Sequence, residues 1–215
     1  MVNQKSYISD AVIRRLPRYY RYLGELLTSG VSRISSGELS QKMGLTASQI
    51  RQDFNHFGGF GQQGYGYNVE MLHEEIGKIL GIQKPHNVII IGAGHIGSAL
   101  ANYQNFENRG FHVIAVFDSD PEVIGTKVSD LTVLSDSCME SFLKENIADI
   151  AVIAIPKAQA PAVAERAVNC GIRGIWNFAS TDLDIKNKDV VVENVHLTDS
   201  IMRLSYRLEN NSTLL

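Results

Sequence analysis

A chain of 215 residues with 44% hydrophobic and 20% charged side chains has the balance of a folded globular protein, not of a disordered one. Its opening, MVNQKSYISD, has no apolar signal core, and no run reaches the ~20 apolar residues of a membrane helix. A cytoplasmic chain that meets no membrane is expected. The net charge of −3 is unevenly spread: residues 1–60 hold eight basic and four acidic side chains, a basic head on an acidic body, as a phosphate-gripping module would have.

In chain order, Val12, Leu16, Tyr19, Tyr20, Leu23, Leu26 and Leu27 recur at helical spacing, and Pro17 either kinks that helix or opens a fresh one. Thr28-Ser29-Gly30 ends it. A second helix runs from Ser35-Ser36 through Leu39 to Met43, with Gly44 as its left-handed cap. A third opens on Thr46 with Gln49 three residues on, the spacing of a capping box, and buries Ala47, Ile50 and Phe54. The glycine- and aromatic-rich stretch 57–67 predicts a β-wing, and Val69, Leu72, Ile76 and Leu80 predict one more helix. Gln83-Lys84-Pro85 is the best domain boundary.

Beyond it, strands and helices alternate: strand Val88–Ile91, helix Ile96–Phe106, strand His112–Phe117, a helix near Ser137–Glu145, strand Ile150–Ile155, helix Gln159–Cys170, and strands Gly174–Asn177 and Val190–Glu193. A last helix, Leu197–Leu208, carries an apolar stripe of Leu197, Ile201, Leu204 and Leu208 that should be exposed in a lone chain. The fold class is α/β: an N-terminal winged helix-turn-helix domain (1–83), a C-terminal Rossmann domain (84–195), and a C-terminal helix with its tail (196–215).

Two constellations carry chemistry. Two helices joined by a short Gly-containing turn, the second opening on a cap, form a helix-turn-helix, so Thr46, Ser48, Gln49, Arg51, Gln52 and Asn55 are candidates to face double-stranded DNA. Arg51 suits guanine or phosphate, while Gln52 and Asn55 suit adenine. The second constellation is Gly92-Ala93-Gly94-His95-Ile96-Gly97, a G-x-G-x-x-G loop after a buried strand and before a helix, with Asp118 at the end of the next strand. Its glycines admit a pyrophosphate, and Asp118 would accept hydrogen bonds from the adenosine ribose and repel a 2′-phosphate, favouring NAD+ or NADH over the phosphorylated dinucleotide. His95 is expected to meet phosphate through its backbone, and Tyr103 to pack on the helix that follows. Cys138 and Cys170 have no metal-ligand spacing and read as reduced, buried thiols, so no metal is expected. Lys157 and His196 are possible acid–base groups but belong to no recognisable dyad or triad. With no residues left for a substrate domain, sensing is favoured over catalysis. The alternatives are an NAD-dependent oxidoreductase with an appended helical domain and a Rossmann module for another nucleotide, such as a CoA thioester.

The segments Arg15-Leu-Pro-Arg-Tyr-Tyr-Arg21, Ser35-Ser-Gly-Glu-Leu39, Arg51-Gln-Asp-Phe54, Gly64-Tyr-Gly-Tyr67, the GAGHIG loop and Gly171-Ile-Arg-Gly-Ile-Trp-Asn-Phe178 resemble those of the Rex redox-sensing repressors, from about Ile8 to Leu208. The resemblance implies a homodimer that binds inverted-repeat operator DNA when NADH is scarce and is released by NADH, with NAD+ competing. It implies that Tyr103 and Phe178 lie near the nicotinamide, Phe178 offered by the other subunit, and that the final helix is domain-swapped. It also assigns Arg21 to a polar contact that changes between the two forms. The usual partner of that arginine is an Asp near the start of the last helix; this chain offers His196 there and Asp199 one turn later. The wing departs from the family pattern in carrying Gln62 and Gln63 where basic residues are usual, which points to a weaker phosphate contact or a shifted operator preference.

Overall fold

The computed structural model describes residues 8–56, 61–62 and 66–211, and the chain divides into two compact units, Met1–Lys84 and Pro85–Leu215. In the first unit Pro17 lies in the opening turn of a fresh helix, where its missing N–H goes unneeded. A short α1 (Asp10–Ile13) therefore precedes α2 (Leu16–Thr28). The pair α3 (Ser36–Met43) and α4 (Ala47–Asn55) follows, with Gly44 between them at φ 62° as the left-handed cap. Helix α5 (Val69–Ile79) closes the unit. Leu16, Tyr19 and Leu23 of α2 share one core with Leu39, Ile50, Phe54, Leu72 and Ile76. Each such buried side chain contributes about 1.5–3 kcal/mol.

The wing is a sheet of three strands in the order β1-β3-β2, where β1 is Arg33–Ile34, β2 Gly61–Gln62 and β3 Gly66–Asn68. The hairpin pairs Gly61 with Tyr67 and Gln62 with Gly66. β1 was not expected. It pairs antiparallel with β3, placing Ile34 opposite Tyr67, so the wing is tied to the helical core by both residues. Gly66, at φ 70°, lies so close to β1 that a Cβ there would stand 2.7 Å from the Ile34 carbonyl oxygen.

The second unit is a seven-stranded sheet in the order β10-β9-β8-β4-β5-β7-β6. Its strands are β4 (His86–Ile91), β5 (Phe111–Asp118), β6 (Lys127–Val128), β7 (Leu131–Ser135), β8 (Ile150–Ile153), β9 (Gly174–Asn177) and β10 (Val191–Asn194). All pair in parallel except the β6–β7 hairpin. The hydrophobic run of β4 is buried on both faces because its side chains alternate. Ile89 and Ile91 meet Met139, Leu143, Ala160 and Ala164 of helices α7 (Met139–Glu145) and α8 (Ala160–Asn169). Val88 and Ile90 face the side that holds Leu100 and Trp176. The strand order reverses between β4 and β8, the switch point at which open α/β sheets bind ligands.

Four expectations are corrected, and two strands are added. Helix α6 spans His95–Ala101, not Ile96–Phe106. Its end coincides with Asn102, whose side-chain amide donates to the Ser98 carbonyl at 2.7 Å, and a 3-10 turn then covers Glu107–Arg109. Tyr103 thus lies beyond the helix and is 50% exposed, so it is not a helix-packing residue. Strands β6 and β7 were missed, and β8 stops at Ile153. The cysteines are not buried: Cys138 is exposed and Cys170 half-buried. The last helix, α9 (Leu197–Asn211), leaves Leu197, Ile201, Leu204 and Leu208 at least 50% exposed.

Candidate dinucleotide cradle and nucleic-acid interface

The glycine loop leaves the C-terminal end of β4 at the switch point, and each of its glycines meets a different demand. Gly92 turns the chain at φ 105°, and a Cβ there would lie 2.4 Å from the Ala154 carbonyl oxygen of the neighbouring strand's end. Gly97 is where α6 presses on the strand: a Cβ would strike the Gly92 carbonyl oxygen at 1.8 Å. Gly94 is the opposite case, with no protein atom within 4 Å of that position. It is also the N-cap of α6, and no side chain caps that helix. An exposed, glycine-floored helix start offers backbone N–H groups and a positive dipole end to an anion. His95 and Ile96 are exposed at its first turn, Gly97 is buried, and Ala93 is only 8% exposed.

Asp118 ends β5 beside this loop. Its Oδ2 accepts the Ala93 N–H at 2.6 Å and its Oδ1 accepts the Asp120 N–H at 2.9 Å. A carboxylate has about four lone-pair positions, so both oxygens keep acceptor capacity for a diol while one of them braces the loop. The donor-rich loop, its open floor and the adjacent half-buried carboxylate suit a dinucleotide's pyrophosphate and ribose.

Tyr103 and Phe178, far apart in sequence, belong to one file of rings. Tyr103 meets Phe106 at 4.9 Å, Phe106 meets Trp176 at 5.7 Å, and Trp176 meets Phe178 at 4.7 Å, all steeply inclined. Such edge-to-face pairs add about 0.5–1.5 kcal/mol each beyond area burial. Asn177, fully buried between Trp176 and Phe178, ties the end of that file down. Its amide donates to the Thr181 carbonyl at 2.7 Å and to Asn194 Oδ1 at 2.8 Å, and its own oxygen accepts the Ala179 N–H at 3.0 Å. Asn177 is a functional candidate beyond those expected from the sequence. Its signal was a polar residue closing an apolar strand.

In the first unit Ser48, Arg51, Gln52 and Asn55 stand on the exposed side of α4, Gln49 is half-buried, and Ile50 and Phe54 face the core. Arg51 Nη1 donates to Ser36 Oγ at 3.2 Å, steadying the guanidinium from α3. Thr46 forms half of the expected box, its hydroxyl accepting the Gln49 N–H at 3.1 Å. The reciprocal box is built at the start of α3 instead, where Ser35 Oγ accepts the Glu38 N–H and the Glu38 carboxylate accepts the Ser35 N–H at 2.8 Å. These bonds from Ser35 hold the Glu38 carboxyl below its usual range. For Gln62 only the strand backbone is described, and Gln63 lies outside the described residues.

Of the three residues assigned to a switching contact, Arg21 is exposed on α2 and Asp199 is exposed in the first turn of α9. His196, just before α9, is engaged within its own unit: its Nε2 lies 2.8 Å from Asp182 Oδ1, and this hydrogen bond raises the imidazole above its ordinary value.

The model for "CoA binding domain" matches residues 83–181, and that for "Putative DNA-binding protein N-terminus" matches residues 7–55. The redox-sensing transcriptional repressor Rex of Clostridioides difficile (strain 630) is 56% identical over 202 residues, covering 94% of this chain and 96% of that protein. The protein of the same name from Thermoanaerobacter sp. (strain X514) is 55% identical, covering 96% of this chain and 92% of that protein. Among solved structures, RSP in complex with beta-NAD+ and operator DNA superposes with a TM-score of 0.89 at 54% identity, covering 97% of this chain and 96% of that chain. RSP in complex with beta-NADH superposes equally well at 51% identity, covering 97% of this chain and 98% of that one. On identity sustained over nearly its whole length, the chain belongs to the Rex family of redox-sensing transcriptional repressors.

Proposed function

We propose that this chain represses transcription as a homodimer, gripping an inverted-repeat operator when NADH is scarce and leaving it when NADH fills the glycine cradle, with NAD+ competing for the same place. The observation that carries this reading is the coexistence in one chain of an open phosphate cradle braced by Asp118 and a helix whose exposed face is Ser48, Arg51, Gln52 and Asn55. RSP, a relative of like fold, has been solved with either redox form and, with NAD+, on operator DNA. A dinucleotide pool and a DNA target support action in the cytoplasm.

Residues 1–83 would serve as the DNA-binding domain and 84–195 as the nucleotide-binding domain. From 196 onward the chain would provide a swapped helix, its stripe of Leu197, Ile201, Leu204 and Leu208 covered by a second copy. Gly92–Gly97 and Asp118 would hold the pyrophosphate and adenosine ribose, with Tyr103 and the other subunit's Phe178 near the nicotinamide. Reduction removes the positive charge of the nicotinamide ring, so an apolar, aromatic-walled pocket would prefer the neutral NADH. That difference moves the dimer only so far as NADH favours one arrangement over the other. A coupling of about 1–3 kcal/mol suffices, provided the released form no longer holds two recognition helices at the ~34–36 Å spacing of successive major grooves. Arg21 with His196 or Asp199 is the proposed polar contact of the switch.

A gel-shift titration at fixed salt tests this, using an operator selected from random duplexes and varied NADH/NAD+ ratios. DNA affinity should fall as the ratio rises. Affinity indifferent to NADH, or displacement by a CoA thioester in its place, defeats the reading.

A further inference from the structure

Helix α4 carries a carboxylate on the wrong side. Asp53 lies between the core residues Ile50 and Phe54, is 2% exposed, and is the one charged residue in the buried class among the described residues. Arg15, at the start of α2, grips it with both arms of its fork, Nε to Oδ2 at 2.8 Å and Nη2 to Oδ1 at 2.7 Å. The Tyr19 hydroxyl, one turn further along α2, donates to Oδ2 at 2.8 Å. Arg18, between them in sequence, donates from Nη2 to the Met43 carbonyl at 3.0 Å, satisfying the last turn of α3. One helix therefore holds both members of the helix-turn-helix, each by directed bonds.

Stability does not account for such a cluster. Removing a carboxylate and a guanidinium from water is costly, and well-packed apolar side chains often replace such a pair without loss. A bidentate fork supplies direction: Ile50 and Phe54 in an apolar pocket leave α4 free to roll or slide slightly, while two parallel N–H···O bonds and a phenol do not. Base reading needs side chains held within roughly 0.5 Å and 10–20° of their geometry.

We infer that Arg15, Tyr19 and Asp53 are positioning residues for operator reading: they fix the roll of α4 so that Ser48, Arg51, Gln52 and Asn55 meet base edges. The inference rests on the DNA-reading function proposed above. Arg21 stands on the same helix two residues past Tyr19, so a displacement of α2 there would be delivered to α4 through this latch.

The test compares the full-length protein with a triple variant, Arg15→Met with Tyr19→Phe and Asp53→Leu, which removes the polar cluster without changing net charge. Each protein is titrated with the operator selected by the unaltered chain and with a scrambled duplex, at one salt concentration. The triple variant should fold and bind scrambled DNA within about twofold of the unaltered chain, since phosphate contact is independent of sequence. Its operator affinity should fall about tenfold or more, the scale of one lost base contact. Should the triple variant not fold, Arg15→Lys, which keeps the charge and loses the fork, decides by the same ratio. A folded variant that keeps the operator-to-scrambled ratio overturns the latch and leaves the repressor reading intact. If the unaltered chain selects no operator at all, both fall together.

Discussion

In the first unit the groups proposed to meet a ligand are side chains, standing on a helix bound to α2 through Asp53. In the second the proposed groups are backbone N–H, made accessible by residues with no side chain at all. The two designs fail differently. A site of side chains survives a change of one residue in weakened form, because the scaffold beneath is unaffected. A site of backbone is insensitive to side-chain chemistry yet intolerant of a single added carbon. Specific reading belongs with the first, because bases differ at their edges; a pyrophosphate, the same in every dinucleotide, can be left to the second.

The sharpest way to break this comparison is within the glycine loop. Gly97→Ala sets a carbon against the Gly92 carbonyl, a backbone atom that cannot swing aside, and should cost at least the ~3 kcal/mol of severe overpacking and abolish NADH binding. Gly94→Ala, with nothing nearby to strike, should melt as the unaltered protein does while losing about tenfold in NADH affinity by calorimetry. If both variants melt alike, or Gly94→Ala binds NADH normally, the loop is not the backbone cradle described.

For the first unit, Arg51→Ala should leave melting and NADH affinity alone and weaken operator binding by about 1–3 kcal/mol if the guanidinium reads guanine. If it contacts phosphate, operator and scrambled DNA should weaken together and the slope of log affinity against log salt should shrink by about one. Smaller again is the cap of the recognition helix. Thr46→Ala removes the acceptor for the Gln49 N–H and should lower stability by about 1 kcal/mol, read from denaturant midpoints.

The smallest effect depends on pH. Asp182 raises the His196 imidazole, so the pair's stabilisation is complete below the ordinary value of 6.5 and fades as pH climbs through the raised one. Asp182→Asn should therefore melt below the unaltered chain in mild acid and converge with it in mild alkali. Parallel curves across that window would show that the pair does not titrate with folding.

What could be read from the chain alone was local. The strand–glycine–helix sequence at 88–97 and the exposed face of α4 depend on neighbours a few residues away, and period and spacing carry that information. The end of α6 was not legible, because the backbone leaves the helix at Asn102, where the Tyr103 N–H turns to the Leu100 carbonyl, while the apolar spacing continues to Phe106. β6 and β7 escaped because Lys127–Ser135 is a hairpin turned by Ser129 in the left-handed region at φ 55°, without a glycine or asparagine to mark it. The latch was hidden by distance: Arg15 and Asp53 are 38 residues apart, and only an acidic residue interrupting the stripe of Ile50 and Phe54 signalled it.

The ring file has an optical consequence. Trp176 is the only indole in the 215 residues, and it lies edge-on between Phe106 and Phe178. Reduced nicotinamide absorbs where indole emits and the oxidised form does not, so the light leaving this one side chain should dim for one redox state of the cofactor and stay bright for the other. The protein carries a built-in lamp for the ratio it measures, readable without any label.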